Sequence, residues 1–223
     1  MAKFYLRKKI GDRVVNGHPW VFANELGDSE GEYKAGDIVD VHSSNGTYIG
    51  SGYINPSSLI RIRILTRNKQ EPINEAFFYN KLLAAWEYRK QLGYVENCRL
   101  IFGEADGMPA LIIDKFNDYF VIQSMALGID LWKQAIVDAL QKIFNPKGIY
   151  ERNDVPVREL EGLQQIKGFL SEPFDTNIII NENGLQFHVD IANGQKTGYF
   201  LDQQDNRRAI ANIVKGASVL EAF

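Results

Sequence analysis

The densest run of groups able to bind a ligand is GQKTGYFLDQQDNRR, Gly194 to Arg208. Lys196, Thr197, Asp202, Gln203 and Arg207 crowd hydrogen-bonding and charged groups around Tyr199 and Phe200. Its opening, GQKTG, superficially suggests a phosphate loop. That loop needs glycine, four residues, then Gly-Lys-Ser/Thr, so that backbone amides and the lysine converge on phosphates. Gln195 interrupts the Gly-Lys pair and no glycine stands at the right distance upstream, so a nucleoside triphosphate site is set aside. Position supports a different chemistry. The run precedes a helix and then an apolar, β-prone segment, SVLEAF, Ser218 to Phe223. In an open α/β sheet the ligand sits beyond the carboxyl end of the first strand. If SVLEAF is that strand, Glu221 lies near its end and the polar run borders the ligand. On these residues alone, a solvated loop ahead of a helix is an equal reading.

Other candidates are weaker. Glu104, Asp106 and Asp114 could pass for a catalytic carboxylate pair, but acidic residues flanked by glycines usually shape a turn. His18, His42 and His188 are scattered without a second ligand at metal spacing, so no metal is expected. Cys98 is the single cysteine. It cannot form an internal disulfide and reads as a buried, inert thiol.

The elements that must hold these residues follow from periodicity. Over residues 1–70 the chain alternates apolar and polar positions in short strands, with Asn45-Gly46 as a hairpin turn and Asn55-Pro56 as a break, which predicts a small β-barrel or sandwich. Gly17 and Pro19 punctuate a turn that presents Trp20 and Phe22. Asn74 then caps a helix whose stripe holds Phe78, Leu82, Ala85, Trp86 and Arg89 and which Gly93 ends. Residues 99–125 read as three strands. A second helix is expected from Asp130 as its cap, with Leu131, Ala135, Ile136, Ala139, Leu140 and Ile143 facing inward and Pro146 as the stop. The segment Gly148 to Asp154 returns as a strand. A hairpin with Glu182-Asn183-Gly184 at its tip follows, then the polar run, a helix from about Gln203 to Val214, and the final strand. The division expected is 1–70, 71–190 and 191–223.

Composition bounds the class. With 223 residues, 45% hydrophobic and 24% charged, the chain can build more than one core. No apolar run is long enough to cross a bilayer, and MAKFYLRKKIGDR lacks the pattern of a signal peptide. A cytoplasmic protein without a membrane partner is expected. The net charge of −3 excludes a uniformly basic nucleic-acid binder, yet residues 1–70 hold ten Lys/Arg against seven Asp/Glu. That asymmetry points weakly to an anionic partner for the N-terminal part.

Four stretches carry a resemblance that spans the chain in order: GHPWVF, RLIFGEADGMPALIIDKF, YERND with the nearby RELEGL, and above all GQKTGYFLDQQDNRR. The sequence resembles the ribosomal RNA large subunit methyltransferase I family, S-adenosylmethionine-dependent enzymes forming 5-methylcytosine in 23S rRNA. The resemblance implies an α/β and α+β multidomain protein: an N-terminal PUA-like β-barrel that binds RNA, a central α+β domain and the start of a Rossmann-like methyltransferase domain. VLEAF is similar to the opening of the cofactor motif, so the chain is expected to be an N-terminal fragment. Cytosine C5 methylation requires a thiolate adding at C6 and a base removing the C5 proton. No catalytic residue is assigned in these 223 residues, and the chain alone is expected to be inactive. The resemblance implies that Gln195, Lys196, Thr197, Gly198, Tyr199 and Asp202 border the methionine end of S-adenosylmethionine, with Arg207 holding the turn by pairing with a carboxylate and Glu221 nearby. Arg7, Lys8, Lys9 and Arg13 could contact RNA phosphates, and His18 or Trp20 could stack on a base. For Trp20 a core anchor is the favoured reading, and for the basic residues a merely solvated face is an equal one. The rival to the enzyme is a non-catalytic RNA-binding adaptor. An unpaired edge at SVLEAF would invite a homodimer.

Overall fold

A computed structural model of the chain describes residues 1–8, 12–211 and 213–220. The elements in chain order are β1 (Lys3–Leu6), α1 (Asp12–Val15), β2 (Trp20–Phe22), β3 (Leu26–Glu30), β4 (Ile38–His42), β5 (Tyr48–Ile54) and β6 (Ile60–Thr66). They continue with α2 (Glu75–Gln91), β7 (Asn97–Phe102), β8 (Leu111–Phe116), β9 (Tyr119–Ser124), α3 (Leu127–Leu131) and α4 (Lys133–Phe144). Last come β10 (Gly148–Asn153), β11 (Ile166–Phe169), β12 (Asn177–Glu182), β13 (Leu185–Asp190) and α5 (Gln204–Ile210).

The first six strands form one sheet in the order β2-β6-β5-β4-β1-β3, with only β1 and β4 parallel. Its two outermost strands, β2 and β3, are joined by the single 3-10 turn Ala23–Glu25. Strands lie about 4.8 Å apart, so a flat sheet of this order would put its edges far beyond the reach of three residues at ~3.5 Å each. The sheet therefore curls into a barrel around Phe4, Leu6, Val21, Val39, Val41, Ile54 and Ile62.

The second sheet has the order β11-β10-β9-β8-β7. Its one parallel pair, β9 with β10, is connected through α3 and α4, as parallel strands require a crossover. Alternation along β9 explains the layering. Phe120 and Ile122 face α2 and α4 in the main core, whereas Val121 points to the opposite face, where the hairpin of β12 and β13 supplies Ile178, Ile180 and Val189. Three layers result: two helices, a sheet, and a hairpin whose following polar run also packs against the sheet.

Local chemistry sets most boundaries. The Asn74 side chain accepts from the Phe77 amide at 3.1 Å and starts α2. Asn183 and Gly184, with φ of 53° and 81°, make the two-residue turn that matches strand twist. The expected cap at Asp130 is corrected. A separate turn, α3, precedes α4, which begins after Trp132 without a side-chain cap, and Leu131 is exposed. The Asp130 carboxylate instead accepts from Ser124 Oγ at 2.5 Å and Arg158 Nη1 at 3.0 Å. Burial raises its pKa, but these bonds outweigh burial and hold it below the usual range.

The C-terminal expectation also changes. The last helix stops at Ile210, short of Val214, and Ser218, Val219 and Leu220 are exposed and belong to no strand. Glu221, Ala222 and Phe223 lie outside the described residues. An apolar segment forms a strand only where a partner satisfies its amides, and the described residues offer it none. The strand edge expected to support a homodimer is therefore not observed among them.

Buried polar contacts join barrel to central unit. Glu161, 4% exposed, accepts from Asn55 Nδ2 at 2.9 Å, Ser58 Oγ at 2.5 Å and Arg63 Nη2 at 2.9 Å. Tyr53 enters the central core and donates its hydroxyl to the Pro109 carbonyl at 2.8 Å.

Candidate functional site

The polar run starts where β13 ends. Asp190 turns the chain by accepting from the Asn193 amide at 2.9 Å, a bond that holds its carboxyl below the ordinary value. Gly194 donates its amide to the Asp190 carbonyl at 2.9 Å. A Cβ there would stand 2.5 Å from that carbonyl oxygen and 2.8 Å from the carbonyl oxygen of Gly198, so the turn tolerates only glycine. Gly198 has φ of 119°, again a glycine conformation. From β10, Arg152 Nη1 donates to the carbonyls of Ile191 at 2.7 Å and Gly194 at 3.0 Å. Lys167 donates to the Ala192 carbonyl and to Asn193 Oδ1, both at 3.1 Å.

Inside this frame several candidate residues point inward. Thr197 is fully buried, and its hydroxyl donates to Asp114 Oδ2 at 2.5 Å. Asp114 is also held by Arg99 through Nε and Nη2, both at 2.9 Å. Arg207 donates to both Glu182 oxygens, at 2.5 Å from Nε and 2.8 Å from Nη2, and to the Phe200 carbonyl at 3.0 Å. Its guanidinium lies 4.5 Å from the Tyr199 ring centre. Tyr199 donates its hydroxyl to Glu182 at 3.3 Å, and burial, then the Glu182 charge, push its phenol to about 12. These three side chains brace the loop.

Three others point outward. Gln195, Lys196 and Asp202 are exposed. Lys196 takes φ of 56°, rare for a side-chain-bearing residue, and its ammonium lies 4.2 Å from the Phe200 ring centre and 3.5 Å from Asp202. Burial opposes ionisation of Asp202, yet the Lys196 charge keeps its carboxyl below the usual range. A carboxylate and an ammonium side by side complement the two charges of an α-amino acid. The methionine end of S-adenosylmethionine carries those charges, and Gln195, Lys196 and Asp202 fit it, whereas Thr197, Tyr199 and Arg207 are engaged in bracing the loop. Glu221 lies outside the described residues.

The N-terminal candidates are scattered. Arg13 is not free for phosphate: it donates to Glu25 Oε1 at 3.0 Å and Oε2 at 2.7 Å, and to the Trp20 carbonyl at 2.9 Å. His18 Nδ1 receives the Trp20 amide at 3.1 Å and faces Arg13 Nη1 at 2.6 Å, so Nδ1 accepts and Nε2 carries the proton. Trp20 is half-buried rather than a core anchor, and its indole N–H donates to Glu104 of the central unit at 2.6 Å. Arg7 Nε donates to the Leu26 carbonyl at 2.8 Å; Lys8 is exposed, and Lys9 lies outside the described residues. Glu104, Asp106 and Asp114 do not converge as an acid-base pair, since Asp106 accepts from Arg89 and the Phe102 amide while Glu104 and Asp114 hold the partners given above.

Sequence reasoning set Asp114 aside as shaping a turn, placed Glu182 at a hairpin tip, and gave Arg152 no role. A signal existed for the two acids. Glu182 follows Ile178 and Ile180 at period two on the buried face of its strand, and Asp114 interrupts the apolar LIIDKF. An acid at a core position demands a buried cation or donor.

A family model described as a PUA-like domain matches residues 4–67. Ribosomal RNA large subunit methyltransferase I of Aliivibrio fischeri is 39% identical over 226 residues, covering 100% of this chain and 57% of that protein. Its namesake from Vibrio parahaemolyticus is 40% identical over 230 residues with the same coverages. Along its whole length, this chain is similar to ribosomal RNA large subunit methyltransferase I. It spans 57% of the length of those relatives. A candidate SAM-dependent methyltransferase from Streptococcus mutans shares the fold, with a TM-score of 0.77 at 18% identity over 95% of this chain and 54% of that one. A crystal structure of SMU.776, a candidate methyltransferase, complexed with SAH gives the same values. The N-terminal barrel is thus PUA-like, and the whole is an α/β and α+β multidomain structure.

Proposed function

We propose that this chain serves an S-adenosylmethionine-dependent methyltransferase of large-subunit ribosomal RNA, with cytosine C5 as the methylated atom and the cytoplasm as its compartment. The observation that carries the reading is the braced loop with an exposed Lys196–Asp202 pair 3.5 Å apart. Lys196 binds the cofactor's carboxylate, Asp202 its ammonium, and the Gln195 amide either group. Bound there, S-adenosylmethionine supplies an electrophilic methyl group. The relatives' names and the PUA-like barrel support RNA as the methyl acceptor. Residues 1–70 form the RNA-binding unit, 71–190 the central unit and 191–223 the entry to the methyltransferase unit. Within the first, Arg7, Lys8 and His18 Nε2–H present outward groups to RNA, and Trp20 ties the barrel to Glu104. Cys98 is buried, with its thiol pushed up to about 11, and does not serve as the thiolate for cytosine chemistry, so the 223 residues alone should not transfer methyl groups.

Calorimetric titration with S-adenosylmethionine tests this. The 223-residue chain should bind weakly or not at all. A protein extended to the relatives' length should bind measurably and lose affinity with Lys196→Met or Asp202→Asn. Tight binding by the shorter chain, or unchanged affinity in both variants of the longer one, refutes the assignment.

A further inference from the structure

Beside the braced loop, the C-terminal end of α2, strand β7 and the segment Leu201–Asp205 enclose a cleft of about 470 Å³. It is distinct from the outward face of Lys196, although Asp202 stands at its rim. The volume falls within the range of small-ligand sites. Two large rings line it while contributing little to any core: Tyr88 is 54% exposed and Phe102 55%. Each has a guanidinium beside it, Arg89 at 5.3 Å from the Tyr88 ring centre and Arg99 at 5.4 Å from that of Phe102. Both cations are already neutralised. Arg89 donates to Asp106 at 2.7 Å, and Arg99 holds Asp114 at 2.9 Å through two nitrogens. The opposite wall carries two carboxylates, Asp202 and Asp205, the latter accepting from the Tyr94 hydroxyl.

This lining selects against a phosphate, which would meet paired cations and two like charges. It favours a flat, uncharged aromatic ligand that stacks on a ring or a guanidinium plane and offers amino hydrogens to a carboxylate. Those are the properties of a nucleobase with an exocyclic amine, for which carboxylates are the matching acceptors. Unstacked bases of single-stranded RNA are recognised in this way. We infer that the cleft between α2, β7 and Leu201–Asp205 receives one unpaired, amino-bearing base of the RNA substrate, stacked against Phe102 or Tyr88 with its amine directed to Asp205. The inference rests on the RNA-methyltransferase reading and adds to it a base-recognition subsite. The adenine of S-adenosylmethionine shares the ligand chemistry, and the test separates the two sources.

Fluorescence anisotropy of labelled single-stranded dodecamers, oligo(C) and oligo(U), measures binding to the 223-residue chain. Oligo(C) should bind more tightly than oligo(U). Phe102→Ala and Tyr88→Ala remove exposed rings and leave the core intact. At least one should weaken oligo(C) binding about 5- to 150-fold, the range for losing one base–aromatic stack. Phe102→Tyr and Tyr88→Phe should stay within about twofold, since each keeps a π-face. The salt dependence of binding should be unchanged in the alanine variants, because no phosphate contact is lost. Wild-type affinity in both alanine variants, no preference for oligo(C), no binding of either oligomer, or displacement of oligo(C) by S-adenosylmethionine more readily than by free cytidine overturns the inference. Methyl transfer to ribosomal RNA by the full-length protein is measured separately, so the enzyme reading can survive the loss of this subsite.

Discussion

Replacing Thr197 by valine exchanges a hydroxyl for a methyl at nearly constant volume and so isolates one hydrogen bond. Thr197 is fully buried and donates to Asp114 Oδ2 at 2.5 Å, while Asp114 has no exposure and keeps only Arg99 once the hydroxyl is gone. A bond to an ionised group contributes about 1.5–3 kcal/mol. At about 2–4 °C per kcal/mol for a chain of this size, the melting temperature should fall by about 3–12 °C. Thr197→Ser keeps the bond and loses one buried methyl group, about 1 kcal/mol. The order of stability is therefore wild type, then serine, then valine. Thermal unfolding followed by circular dichroism gives the melting temperatures, urea unfolding gives the free energies, and a double-mutant cycle with Asp114→Asn assigns the difference to the pair. Valine as stable as serine, or a cycle without coupling, refutes the claim that Thr197 braces the loop through Asp114.

Other outcomes follow from the same contacts. Glu161→Ala leaves the buried Arg63 charge without its carboxylate, and Arg63 Nε and Nη1 already have no partner among the described residues. Breaking such a pair costs about 3–5 kcal/mol, and calorimetry should show a large drop in the unfolding temperature. Gly194→Ala forces a Cβ to 2.5 Å from the Asp190 carbonyl oxygen, so limited proteolysis should cut the segment 190–203 faster than in wild type. Burial pushes the Cys98 thiol up to about 11 from an ordinary 9.0. At pH 8 it should alkylate at least about a hundredfold more slowly than an ordinary thiol, since the thiolate reacts. Its folded-state pKa is raised, so its contribution to stability is complete below about 9 and lost as the pH rises towards 11, a loss that Cys98→Ser removes.

Elements governed by neighbouring residues were legible in the sequence. Asn74 and Gly93 bound α2, and Asn183-Gly184 turned β12 into β13, because capping and turn chemistry act over three or four residues. Roles decided at a distance were not. Asp130 reads as a helix cap until Arg158, 28 residues on, claims its carboxylate. Arg13 reads as a phosphate ligand until Glu25 takes it, and Trp20 as a core anchor until Glu104 accepts its indole proton. In the candidate site the loop itself was legible, as was the pairing of Arg207 with a carboxylate. The identity of that carboxylate was not, because Glu182 meets Arg207 only once the hairpin has folded back.

The division of labour within the loop explains how so short a segment presents a defined charge pair. Thr197, Tyr199 and Arg207 direct their polar groups inward to Asp114 and Glu182, and Arg152 fixes the backbone at Ile191 and Gly194 from the neighbouring sheet. Lys196 and Asp202 are then held by their neighbours' contacts, so a bound zwitterion need not order the loop itself, and the entropic cost of binding falls. Two kinds of substitution consequently separate. Changes at Lys196 or Asp202 weaken the cofactor and leave unfolding unchanged, whereas changes at Thr197, Arg207 or Glu182 lower stability first and weaken the cofactor only through a loosened loop. A cofactor defect in Glu182→Gln without any loss of stability would show that the acid acts on the ligand directly, and the bracing account would fail.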